Sequence, residues 1–143
     1  MPLGNQSRRK DILQPFKIFY SLVLAHELTH GYTHIGRDID GIQWNDRAFG
    51  TSDPMIVEGL AQFYTHVLTE RMAARNPGPH MAYTKLLTIQ SGPYHAHLDW
   101  LAGEVRQRGE IVCFTMIAAR SWKITENTAW LQLLEITQKS LQR

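Results

Sequence analysis

The run HELTH places His26, Glu27 and His30 within five residues. On an α-helix, residues four apart lie about 40° apart around the axis and about 6 Å apart along it, so two imidazoles share a face and can share one cation. Glu27 projects about 100° away from His26 but sits one turn before His30, close enough for its carboxylate to reach a water on that cation. Position and residue type together spell two metal ligands and a general base. In a chain of this composition the pattern arises by accident in about 2% of cases.

A catalytic zinc takes three protein ligands and keeps one position open. His34 continues the stripe, but stands about 12 Å along the axis from His26, too far to bind the same ion. The pattern with a third histidine ten residues after the first fails, because that position is Gly36. Asp38 and Asp40, in the turn-rich stretch after the helix, are within reach as carboxylate ligands, and turn chemistry alone also accounts for them. Glu58 is the favoured third ligand: in PMIVEGLAQFYTH it lies amid Ile56, Val57, Leu60 and Ala61, where an unpaired carboxylate is costly and a metal ion would neutralise it. The small Gly59 and Ala61 beside it suit close packing against the histidine helix.

These groups need elements to hold them. Residues 1–14 are polar and basic and read as a flexible lead-in, and Pro15 suits the first position of a helix. Phe19, Leu22, Val23, Ala25 and Leu28 then recur at helical spacing and Gly36 supplies a stop. Residues 36–53 have the composition of an ordered loop. Asp53-Pro54 is a cap and first-turn signature for a second helix from about Pro54 to Arg75, ended by Asn76-Pro77-Gly78-Pro79.

The later segments MAYTKLLTIQ, YHAHLDWLAGEVRQR behind Gly92-Pro93, EIVCFTMIAARSW behind Gly109, and the stretch from Thr125 exceed strand length and lack alternation, so each is expected to be helical. Residues 111–119 are also β-branched enough for a buried strand. The expectation is one mainly α domain over residues 1–143, its HELTH helix packed on the Glu58 helix, with little or no sheet.

HELTH followed by Glu58 in VEGLAQ resembles the zincin metallopeptidases whose third zinc ligand is a glutamate, the gluzincins. The resemblance covers Phe16 to Val67. It implies that His26, His30 and Glu58 bind one zinc ion and that Glu27 is the general base for a zinc-activated water that cleaves peptide bonds. Many gluzincins carry an aspartate four residues after the glutamate ligand to orient a zinc histidine; here that position is Gln62, whose uncharged amide would give weaker support. Relatives usually place a β-sheet before the active-site helix, and about 15 residues do not suffice for one. In such enzymes a tyrosine or histidine from a later segment donates to the oxyanion. SGPYHAHLDW offers Tyr94, His95 and His97 at a Gly-Pro turn, Tyr94 ranking first, with Tyr64 and His66 as fallbacks.

Composition bounds the alternatives. A formal net charge of +2, with basic residues scattered in small groups, marks no nucleic-acid footprint. The stretch Phe16 to Ala25 is too short and too interrupted for a membrane span, and no signal peptide is evident; a cytoplasmic address follows as the default, unless these residues belong to a longer precursor. The single Cys113 sits in an apolar run and reads as a buried hydrophobe. The expected partner is a peptide or protein substrate. The competing expectations are a zinc-stabilised binding module of the same fold without turnover, and a helical interaction protein without metal.

Overall fold

The computed structural model describes residues 5–36, 42–101 and 103–143, with side chains from Gln14 onward except those of Val105 and Arg106. The order is α1 (Asn5–Ile35), α2 (Asp46–Thr51), α3 (Pro54–Met72), α4 (Gly78–Leu87), a 3-10 helix (Gly92–Leu101), α5 (Val105–Trp122) and α6 (Asn127–Leu141). The fold is mainly α, with no strand among the described residues. Residues 111–119 are therefore helix, not strand.

The central element is α3, which packs against α1, α4, the 3-10 helix and α6. Its start is fixed as the sequence indicates: the Asp53 carboxylate accepts from the Met55 N–H at 2.9 Å, with Pro54 in the first turn. The Asp53 N–H in turn donates to the Thr125 carbonyl at 2.8 Å, tying this cap to the approach to α6. Ile56, Leu60 and Phe63 are completely buried in a core shared with Trp44, Trp100, Val112, Met116 and Trp130.

Helix α1 departs from expectation in two ways. It begins at Asn5, so residues 5–14 are helical and Pro15 lies inside. Proline removes one intrahelical bond, but the Arg, Lys, Gln and Leu on either side propagate helix well enough to continue across it. The buried face is also not the apolar one: Leu22, Thr29 and Thr33 are buried, whereas Phe16, Phe19, Tyr20, Val23 and Leu28 are exposed. The threonines tolerate burial because their hydroxyls donate to Ala25 O and Thr29 O one turn back. Apolar residues surround this helix on all sides, so α3, not hydrophobic pattern, decides which side faces in.

Three further boundaries differ. The loop before α3 contains α2, capped by Asn45, whose side chain accepts from Ala48 N–H at 3.0 Å. The stretch behind Gly92-Pro93 is a 3-10 helix ending at Leu101, and α5 runs through Gly109 instead of starting there. Cys113 is partly exposed on α5. No helix among the described residues is long and apolar enough to cross a membrane.

Candidate metal centre

Two helices meet at the site. The inward face of α1 at Leu22, Thr29 and Thr33 brings His26 and His30 toward the first turns of α3, where Glu58 projects back. The last turn of α1 is held from the far side of the molecule: the buried Arg120 of α5 donates to Thr33 O at 2.7 Å, a cation where the helix dipole is negative. Gly59, next to Glu58, is needed for a different contact from the one its size suggested. A Cβ there would lie 2.6 Å from Cη2 of Trp100, so the glycine admits the 3-10 helix, not α1, against α3.

His26 Nε2, His30 Nε2 and Glu58 Oε2 form a nearly equilateral triangle. His26 to Glu58 is 2.9 Å, His30 to Glu58 3.3 Å and His26 to His30 3.1 Å. The side chains are 16%, 21% and 26% exposed, neither dry nor freely solvated. Each imidazole nitrogen carries either a proton or a lone pair, and an ionised carboxylate oxygen only accepts, so with the carboxylate ionised no placement of protons on the two rings makes all three edges attractive at once. A cation facing the three lone pairs does. Ligand atoms around a tetrahedral ion with bonds of about 2.0–2.1 Å stand about 3.3 Å apart, close to the edges seen here. Two imidazoles and a carboxylate are also the donor set of a catalytic zinc, and of its three-ligand, open form. The residues present fit the ion.

Glu27 is exposed and, with His26, lines a cavity of about 180 Å³ alongside Leu22, Gln62 and Tyr94. Tyr94 comes from the 3-10 helix, its ring centroid 6.0 Å from that of His26. With three residues per turn, positions 94, 97 and 100 align along one edge of that helix: Tyr94 stands by His26, His97 meets Tyr83, and Trp100 fills the notch at Gly59.

The other sequence-level candidates lie elsewhere. His34 pairs with Asp46 of α2 at 2.8 Å and stacks on Phe49, apart from the triangle. His95 donates to Leu87 O at 2.7 Å. His97 is completely buried against the Tyr83 hydroxyl, and burial, with His66 nearby, lowers its pKa to about 4, so it is neutral. His66 faces Glu70, its pKa lowered chiefly by burial, and Tyr64 packs on Tyr32 and Phe63. Asp38 and Asp40 lie outside the described residues. The amide of Gln62, which stands where the resembling enzymes carry an orienting aspartate, donates to Gln90 Oε1 at 2.8 Å. Tyr83 and Gln90 line the cavity without any signal in the sequence, since their neighbours there come from helices far along the chain.

No family model, curated protein or solved structure matches the chain. The functional reading therefore rests on the geometry of the site.

Proposed function

We propose that this chain is a mononuclear zinc hydrolase, a metallopeptidase that cleaves peptide bonds with Glu27 as general base. The observation that supports it is the convergence of His26 Nε2, His30 Nε2 and Glu58 Oε2 within 3.3 Å of one another, with a carboxylate on the next residue. His26, His30 and Glu58 would hold the ion, which when bound supplies a Lewis acid for the substrate carbonyl and lowers the pKa of water. Glu27, lining the cavity beside His26, removes a proton from the attacking water and later delivers it to the leaving amine. The Tyr94 hydroxyl is the proposed donor to the oxyanion, because Tyr94 lines the same cavity with its ring beside that of His26. Leu22, Val23 and Leu86 form the apolar part of the cavity wall.

The test is a Glu27→Gln comparison. The variant should keep stoichiometric zinc and lose peptide hydrolysis by at least about 100-fold, the scale of a positioned general base. Full activity in that variant contradicts the assignment.

A second reading, a zinc-stabilised binding module, draws support from Gln62, whose amide is committed to Gln90 and not to orienting a ligand. It predicts that a mixed peptide library stays uncut while chelation still lowers the melting temperature.

A further inference from the structure

The cavity beside the triangle has a polar floor that neither metal binding nor proton transfer uses. Gln62 is a buried polar residue, 3% exposed, and it lines the cavity together with Gln90 from the turn after α4. Their side chains share one hydrogen bond, Gln62 Nε2 to Gln90 Oε1 at 2.8 Å. Whichever amide is the donor in such a pair, one carbonyl oxygen and one amino group are left over, because each carboxamide brings two N–H bonds and an acceptor. A carboxamide is its own complement, and a third one presents an N–H to the free oxygen and an oxygen to the free amino group. Of the other polar groups in the described wall, His26, Glu27 and Tyr94 are the ones assigned to the ion and the reaction. The Tyr83 hydroxyl is committed to His97, and the Thr65 hydroxyl donates to Ala61 O.

Size and charge agree. At about 30 Å³ per water, a cavity of about 180 Å³ holds the equivalent of about six waters, enough for a side chain of five heavy atoms. Leu22, Val23 and Leu86 supply an apolar wall for two methylenes. The one carboxylate lining the cavity is Glu27, and no lysine or arginine lines it among the described residues. Gln62 and Gln90 are themselves uncharged, so a charged side chain reaching them would find no counter-ion in either.

We infer that this cavity is a specificity pocket for a carboxamide side chain, so that the protein cleaves next to glutamine in its substrate. The inference rests on the peptidase reading and adds the residue class that the site selects. An aliphatic side chain of equal size would strand the leftover amide groups, which is the situation in which hydrogen-bonding pockets discriminate most strongly.

Zinc-loaded protein is given peptides identical except for one residue beside the cut, glutamine, methionine, leucine, glutamate or lysine, with products read by mass spectrometry. In parallel, binding of N-acetylglutamine dimethylamide and N-acetylmethionine dimethylamide is followed by NMR. Glutamine should exceed methionine by about tenfold or more in kcat/KM, with the charged residues lower still, and the glutamine amide should bind the tighter. Gln90→Met, at a half-buried turn position, should reduce both preferences to about twofold or less. Gln62→Met serves as a second variant if the first does not fold. Cleavage without preference for glutamine, or a preference unchanged in both variants, overturns the pocket and leaves the peptidase reading intact. Uncut peptides with the binding preference retained overturn the peptidase reading and support the carboxamide pocket. Uncut peptides with no binding preference overturn both.

Discussion

Two histidine clusters lie against the same central helix, α3, and they behave in opposite ways. At one end of α3, His26 and His30 point their Nε2 atoms at Glu58 Oε2, giving three ligand atoms within 3.3 Å and, with the carboxylate ionised, no placement of ring protons that satisfies all three edges. Further along α3, His66 faces Glu70, His80 pairs with the Thr69 hydroxyl and His97 with the Tyr83 hydroxyl, so each ring has a separate polar partner at one nitrogen, while Nδ1 of His66 and of His97 is buried without a hydrogen bond. Their ring centroids are as close as 5.6 Å, yet among the described residues only the first cluster brings three ligand atoms together. Convergence of ligand atoms, not abundance of imidazole, is what distinguishes a candidate metal site from a polar core.

That contrast can be broken from either side. The largest effect belongs to the triangle: Glu58→Ala should lower zinc affinity by several orders of magnitude, because loss of one of three ligands leaves two imidazoles on one face. Calorimetric zinc titration of the wild type and variant checks it. An unchanged affinity would move the site away from Glu58.

The second cluster should respond to protons instead of metal. Burial lowers the pKa of His97 from 6.5 to about 4, so between those values the unfolded chain binds a proton that the folded one refuses. Stability is therefore full above about pH 6.5 and falls as pH drops toward 4, by about 2–3 kcal/mol from this group. Urea unfolding at pH 7 and 4.5 should show that loss reduced in His97→Gln. Equal losses in both proteins would remove His97 as the cause.

Tyr83→Phe tests the same cluster more gently. It leaves buried His97 Nε2 without its partner and should cost about 1–3 kcal/mol at pH 7, read from the unfolding midpoint, with zinc stoichiometry unchanged. The smallest effect is expected at His34, whose partner Asp46 has a side chain 84% exposed. His34→Ala should change stability by no more than about 1 kcal/mol and leave zinc binding intact.

The parts legible in the sequence were those encoded locally. HELTH gave the histidine pair of the triangle by spacing alone, Asp53-Pro54 marked the start of α3 at Pro54, and the rise of the helix excluded His34 from the triangle. Glu58 was legible because an isolated carboxylate in an apolar helix needs a partner. What escaped was set by distant contacts. Gly59 is small for Trp100, not for α1, and that contact links residues some forty positions apart. The inward face of α1 carries threonines while phenylalanines lie outside, which no hydrophobic pattern predicts. Pro15 and Gly109 looked like boundaries and are interior, since one unfavourable residue does not stop a helix that its neighbours propagate. The 3-10 helix, which aligns Tyr94, His97 and Trp100, and the Gln62–Gln90 pair likewise depend on packing.

The central claim is that one zinc ion sits between α1 and α3. Elemental analysis of purified protein, paired with X-ray absorption at the zinc edge, tests it most directly. The account predicts one zinc per chain, bound by nitrogen and oxygen ligands without sulfur, and its loss in both His30→Ala and Glu58→Ala. Protein purified or reconstituted with zinc that retains none at stoichiometric level, or zinc that persists in both variants, would contradict it.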